Sequence, residues 1–321
     1  MYSVVIVGAG NIGSRHLQSF AQSKQKINIL VIDPFQASLD VCKTRWNEAN
    51  TINNVVEVHF QKNYANAPKE IDLGVIATNS EHRYHALEEL LSNCTCKNVL
   101  LEKFLFSVEE EYAKANLLID KHACKAYVNL VRRTFDCYKW INKELQANKE
   151  PLIMDVVGGN WGMASNSIHF IDLFCYLTND TISTCNFVNP QVTQLLASKR
   201  EGYIEFIGNL SAATTHGSKL NITCGDGVYD KIDITFKKGD LLITAEEKGA
   251  EITAHNVKSG VTQKFPFPFQ SQLTFNYFTE FVAGKSSLVP YKESVGAHVS
   301  FLHAVKNLLA STNNKQAWKI T

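Results

Sequence analysis

Four apolar residues, Val4 to Val7, run directly into Gly8-Ala-Gly10-Asn-Ile-Gly13. A buried strand followed at once by three spaced glycines and the opening of a helix leaves few folds open. Gly8 permits the tight turn, Gly10 leaves room for a pyrophosphate to approach the backbone, and Gly13 lets the helix close onto the sheet. Phosphates then meet the N–H groups of Asn11 and Ile12 at the positive end of the helix dipole. Twenty residues past Gly13, Asp33 ends a second apolar run. Its carboxylate can accept hydrogen bonds from both hydroxyls of an adenosine ribose and repels a 2′-phosphate, so NAD is expected in preference to NADP. A glycine turn without a ligand is the competing reading, and the strand-turn-helix setting argues against it. An FAD fold uses a similar fingerprint but normally carries more cofactor-contacting segments, and methyltransferases usually space their glycines differently.

The rest of the first half repeats the alternation. Apolar runs at Tyr2 to Val7, Ile27 to Ile32, Val55 to Phe60, Leu73 to Ala77, Asn98 to Leu101 and Ala126 to Asn129 read as strands. Between them Ile12 to Ser23, Phe35 to Glu48, His82 to Leu91 and a segment opening with the capping box Ser107-x-x-Glu110 read as helices. Strands separated by helices imply a parallel sheet covered on both faces. A further helix, Phe135 to about Gln146, ends near Pro151, and the pattern then changes. Gly202 to Leu210, Lys219 to Thr223, Tyr229 to Thr235, Leu241 to Ala245 and Ala250 to Asn256 read as strands joined by turns such as Lys238-Gly239-Asp240, which predicts an antiparallel sheet. Phe265 to Phe269, with two prolines, reads as an extended connector before helices at Leu273 to Ala283 and Ser294 to Ser311. The expectation is a Rossmann dinucleotide-binding domain over residues 1–125 and an α+β domain with a large, mainly antiparallel sheet over 126–321.

Composition narrows the partners. Thirty-two Lys and Arg against 31 Asp and Glu leave a formal charge of +1, so no electrostatic surplus draws the chain to nucleic acid or an anionic membrane. No apolar run approaches the roughly 20 residues that span a bilayer. The chain enters a strand without a signal-like region, so a cytoplasmic location is expected. Eight scattered cysteines without paired spacing read as small buried hydrophobes, and no metal site is expected.

Several segments resemble one family. Gly8 to His16 resembles the GxGxxGxxH opening of the Gfo/Idh/MocA oxidoreductases, the group containing glucose-fructose oxidoreductase and inositol dehydrogenase. Ala77-Thr78-Asn79-Ser-Glu-His82, with Ala86 beyond, is similar to its TPxxxH-type loop. Glu102-Lys103 matches the opening of its EKP motif, and Ser165-x-x-x-His169-Phe-Ile-Asp172-Leu matches its DxxxHxIDL segment.

The resemblance implies a bound NAD and hydride transfer to or from a hydroxyl or carbonyl carbon of a sugar, polyol or activated sugar. It assigns Thr78, Asn79, His82 and Glu102 to the cofactor side, and it makes Lys103 and His169 the catalytic pair flanking the nicotinamide and the substrate alcohol. Hydride leaves a carbinol carbon only as its hydroxyl loses a proton, which His169 can accept, while the Lys103 ammonium stabilises alkoxide charge. Taken alone, Lys103 reads as a surface lysine and His169 as a core histidine. Arg132, with Arg133 beside it, is a candidate clamp for an anionic substrate group, or a solvated basic pair. Trp161 is a candidate stacking platform for a sugar ring, or interface core. Ser165 and Asn166 complete the expected substrate contacts. Three positions depart from the family pattern: Phe104 and Asn79 stand where prolines are usual, and Ser165 replaces an aspartate. Serine bonds a substrate but brings no negative charge, so an NAD-binding sensor without turnover is the alternative function. A homodimer or homotetramer through the C-terminal sheet is expected by analogy.

Overall fold

Parallel strands need long crossovers, and the helices between the N-terminal apolar runs supply them. The computed structural model describes residues 1–49, 56–198, 202–311 and 319. The chain runs β1 (Tyr2–Val7), α1 (Asn11–Ser19), β2 (Ile27–Ile32), α2 (Gln36–Ala49), β3 (Val56–Gln61), β4 (Glu70–Ile76), α3 (Ser80–Asn93), β5 (Thr95–Leu101), α4 (Glu110–Lys121) and β6 (Lys125–Val128). It continues through α5 (Asp136–Leu145), β7 (Leu152–Gly158), α6 (Met163–Thr178), β8 (Ile182–Val188), β9 (Gln194–Ala197), β10 (Ile204–Thr214) and β11 (Lys219–Cys224). Then come β12 (Ile232–Lys238), β13 (Leu241–Lys248), β14 (Glu251–Asn256), β15 (Val261–Pro266), α7 (Gln270–Val282), β16 (Val289–Pro290) and α8 (Tyr291–Ser311).

Two compact units result, one of Met1–Asn129 with Pro268–Glu293 and one of Leu130–Phe267 with Ser294–Thr321. The first unit therefore takes in α7, which follows the second sheet in sequence. Its seven-stranded sheet has the order β16-β6-β5-β4-β1-β2-β3, parallel except for β16. Val4, Val5 and Ile6 are fully buried at its centre, each contributing roughly 1.5–3 kcal/mol of burial. Order reverses between β1 and β4, and a ligand crevice belongs outside the carboxyl ends of strands at such a reversal.

The second unit holds a nine-stranded sheet in the order β15-β14-β13-β12-β7-β11-β10-β8, with β9 paired to β10. Its pairs are antiparallel except β7 with β11. Leu152, Met154 and Val156 of β7 are buried while Ile153 and Val157 are exposed, so one sheet face is covered and the other is open. Helix α6 is apolar around most of its circumference, with Ile168, Phe170, Ile171, Leu173 and Phe174 fully buried.

Several local expectations are corrected. The Ser107 capping box does not form: α4 begins at Glu110, and the Ser107 hydroxyl meets Ser80 Oγ at 3.0 Å instead. Phe265 and Pro266 close β15 rather than forming a connector, because β15 is an edge strand and tolerates proline. The central strand β7, bounded by Pro151 and running into Gly158 and Gly159, is an addition to the expected strands. Val55, expected to open β3, lies outside the described residues. No helix among the described residues is long and apolar enough to cross a membrane.

Candidate active site

The glycines after β1 divide the work by space. Gly8 stands at φ +99°, and a Cβ there would lie 3.0 Å from the Ala77 carbonyl carbon at the end of β4. A Cβ on Gly13 would lie 1.9 Å from the Gly8 carbonyl oxygen, so strand, turn and α1 are locked together. Around Gly10, by contrast, nothing lies within 4 Å of a Cβ. Helix α1 begins at Asn11 with no side-chain cap, so the first-turn N–H groups of Asn11 and Ile12 open onto the same space. Asp33, buried at the end of β2, accepts the Ala9 N–H at 2.8 Å and the Phe35 N–H at 2.9 Å. These bonds hold the glycine loop and the segment after β2 in fixed positions.

Across the sheet reversal, Thr78 and Asn79 follow β4 and are half-buried. Thr78 Oγ1 is shut from solvent with no hydrogen-bond partner. His82, one turn into α3, has a side chain 70% exposed beside Glu81. The residue that organises these loops is its neighbour, Arg83, which is 2% exposed. Its guanidinium donates to the carbonyls of Thr78 and Phe104, and to that of Leu105 at 2.9 Å. Arg83 thus staples the loop after β4 to the loop after β5, where Lys103 stands. The Lys103–Phe104 peptide bond is cis.

Glu102, expected against the cofactor, is enclosed instead. Its Oε1 meets His16 Nε2 at 2.8 Å and accepts from Asn129 Nδ2, while Oε2 accepts the Lys103 N–H at 3.2 Å. His16 Nδ1 meets Thr274 Oγ1 at 2.8 Å, and Asn129 also donates to Gln270 Oε1 at 2.8 Å. Burial pushes the Glu102 carboxyl up, but the hydrogen bond and charge of His16, with Lys103 and Arg83 adding to them, hold it below the usual carboxylate value. A carboxylate so engaged fixes the backbone of Lys103 against α1 and α7.

In the second unit the expected substrate residues separate. Arg132 is 8% exposed and gives Nε and one terminal nitrogen to Glu247 at 2.9 and 2.8 Å, with its charge 4.2 Å above the Phe170 ring. Burial disfavours that charge, yet Glu247 outweighs the effect and holds the guanidinium protonated. Arg133 is paired likewise, to both oxygens of Asp172 at 2.8 and 2.7 Å. The two arginines are therefore internal ion pairs, neither a solvated pair nor a clamp standing ready. Trp161, 6% exposed, packs edge-on against Phe170 at 5.5 Å and donates to the Thr223 carbonyl at 3.2 Å, which makes it core.

Ser165 and Asn166 do stay together at the start of α6, half-buried, with His169 one turn on and 8% exposed. The carboxylate that sequence reasoning found missing beside Ser165 arrives from β10: Glu205 Oε1 accepts the Ser165 hydroxyl at 2.6 Å, and Oε2 accepts the Ala164 N–H at 2.7 Å. No motif marked Glu205, and only its alternation with the buried Phe206 placed it on the opposite side of a strand. The cysteines behave as small hydrophobes: seven of the eight are buried, and burial pushes Cys137 up to about 12 and Cys124 up to about 11.

Comparison with known proteins agrees with this fold. The sequence model of the GFO_IDH_MocA family, described as an oxidoreductase family with an NAD-binding Rossmann fold, matches residues 2–130. Over residues 2–130 the chain is thus similar to the NAD-binding domain of the Gfo/Idh/MocA oxidoreductases. No curated protein sequence matches the chain. Solved structures share the fold: an oxidoreductase from Agrobacterium radiobacter in complex with NAD+, L-tartaric acid and magnesium has 10% identity, a TM-score of 0.73 and 97% coverage of both chains. An aldose-aldose oxidoreductase from Caulobacter crescentus complexed with glycerol has 13% identity and a TM-score of 0.69 over 99% of both chains. The transcriptional regulator Gal80p from Kluyveromyces lactis has 13% identity and a TM-score of 0.69, over 96% of this chain and 92% of that one.

A dinucleotide of the kind Gfo/Idh/MocA domains bind fits the residues present. Open space at Gly10, an uncapped α1 and the partnerless Thr78 Oγ1 all lie at the sheet reversal. Asp33 uses two of the about four lone-pair positions of a carboxylate, leaving acceptors for ribose hydroxyls.

Proposed function

We propose that the chain is an NAD-dependent oxidoreductase acting on a hydroxyl carbon of a sugar, polyol or activated sugar. The observation that carries this reading is the contrast within one loop: a Cβ is impossible at Gly13 and tight at Gly8, yet unobstructed at Gly10, where a pyrophosphate needs access. Gly10, Asn11 and Ile12 hold the phosphates, Asp33 the adenosine ribose, and Thr78 and Asn79 the nicotinamide side. The bound dinucleotide supplies the hydride acceptor or donor. Asp33 favours NAD over NADP because a second anion beside its carboxylate is repelled. In this reading Lys103 stabilises negative charge developing on the substrate oxygen, and His169 accepts the hydroxyl proton. The open face of the nine-stranded sheet, with Ile153 and Val157 exposed, is the surface on which a second copy packs.

The test is incubation with NAD+ and a panel of sugars and polyols. Reduced-nicotinamide absorbance is expected for at least one member of the panel, together with a loss on the order of 100-fold in turnover for Lys103→Ala and for His169→Ala at nearly unchanged NADH affinity. Polyol-dependent thermal stabilisation without turnover contradicts the oxidoreductase reading and marks a sensor.

A further inference from the structure

The N-terminal turn of α6 is built around a carboxylate from a different element. Gly162 precedes it at φ +78°, and α6 carries no side-chain cap of its own. Glu205 of β10 takes that place. Besides the Ala164 N–H at 2.7 Å, its Oε2 meets the Ser165 N–H at 3.4 Å, and its Oε1 lies 2.6 Å from Ser165 Oγ. Among the described residues no lysine or arginine pairs with Glu205, whereas Asp172 and Glu247 of the same unit are bound to Arg133 and Arg132. Asp172 and Glu247 are buried, and Glu205 is half-exposed.

A serine hydroxyl has one proton. The short contact to a charged oxygen outcompetes the 3.2 Å approach of the same hydroxyl to the Gly162 carbonyl, so the proton goes to Glu205. Toward any other group Ser165 Oγ then acts as an acceptor; Asn166 Nδ2, 3.3 Å away, gives its two N–H groups to the closer carbonyls of Trp161 and Gly162 at 3.0 and 3.1 Å. Ser165 and His169 are four residues apart on α6, which puts their Cβ atoms about 5–6 Å apart on one face.

We infer that Glu205 is a positioning residue of the substrate site: it fixes Ser165 as a hydrogen-bond acceptor for a substrate hydroxyl and supplies, from β10, a negative charge one helical turn ahead of His169. This rests on the proposed oxidoreductase reading. It also changes what Ser165 means, since the serine–glutamate pair carries together what a single aspartate on α6 would carry alone. The ligand it selects is a polyhydroxylated one, because only a hydroxyl that donates can satisfy an acceptor held in this way.

Four proteins test it: the wild type, Glu205→Gln, Ser165→Asp and the double variant Ser165→Asp/Glu205→Gln. Glu205→Gln keeps an acceptor oxygen for the helix N–H groups but removes the charge. It is expected to lower kcat/KM for the polyol substrate about 10-fold to 100-fold with NADH affinity unchanged. Ser165→Asp alone places two carboxylates at bonding distance and should lower Tm, whereas the double variant moves the charge onto α6 and should recover both Tm and kcat/KM. A double variant no better than Glu205→Gln, or a Glu205→Gln protein with lower Tm but unaltered kcat/KM, overturns the inference and leaves Glu205 as a helix cap. Thermal shift with NADH and myo-inositol or D-glucose separates the two proposals. Polyol-dependent stabilisation without turnover, lost in Glu205→Gln, defeats the oxidoreductase reading and supports the role of Glu205. A wild type showing neither turnover nor polyol-dependent stabilisation overturns both.

Discussion

Two carboxylates, one in each unit, are held in opposite ways. Glu102 is 3% exposed, and His16, Asn129 and the Lys103 N–H occupy its oxygens. Glu205 is half-exposed, faces a helix turn and a serine, and has no cation on it among the described residues. The first is sealed scaffolding whose charge is consumed inside the unit, so it acts by holding a loop. The second keeps its charge near solvent, where a ligand can be affected by it. Burial with full pairing gives rigidity, and partial exposure leaves capacity for recognition.

The largest effect should come from breaking the first unit at its tightest point. Gly13→Val forces a side chain into the Gly8 carbonyl and is expected to abolish cooperative folding of that unit, seen as loss of its urea transition. A native-like transition would show that α1 can move off the sheet at little cost. Next comes the sealed pair of the second unit. Glu247→Ala leaves Arg132 buried and unpaired and should destabilise by about 3–5 kcal/mol in urea denaturation, while NADH binding to the folded fraction persists. A change under about 1 kcal/mol would mean that the guanidinium finds water, contrary to its burial.

The acid limb tests the enclosed carboxylate. The Glu102 carboxyl lies below its ordinary value of 4.5 when folded, so near that value the unfolded chain binds more protons than the folded one. Its contribution is full above the unfolded value and is lost as pH falls through the folded value. Stability measured down this range should fall, and Glu102→Gln should flatten the fall; an unchanged slope would place the effect on other groups. The smallest effect belongs to His82, exposed beside Glu81: His82→Ala should change stability by no more than about 0.5 kcal/mol, and a larger change would show a role that its exposure does not suggest.

What was readable in the sequence follows the same division. β1, α1 and the glycine loop are adjacent in the chain, so spacing alone carries their geometry, and β1 and β2 fall at the expected residues. Glu102 was readable as a neighbour of Lys103, but its enclosure was not, because Asn129, Thr274 and Gln270 come from distant segments. Arg83 carried no signal beyond its place beside His82. Arg132 looked available because Glu247 lies 115 residues away. Ser165 looked deprived of charge because Glu205 is 40 residues off, on strand β10. Local motifs expose backbone geometry, whereas pairing between segments distant in the chain decides which charges remain available.

The central claim is that the loop after β1 binds a nicotinamide dinucleotide, and Gly10 tests it most directly. Because a side chain there meets nothing in the free protein and its φ of −67° suits any residue, Gly10→Val should fold with a stability change of at most about 1 kcal/mol. Fluorescence titration with NADH is predicted to show saturable binding to the wild type and a loss on the order of 100-fold for Gly10→Val at near-native Tm. Equal NADH affinity in the two proteins would contradict the account.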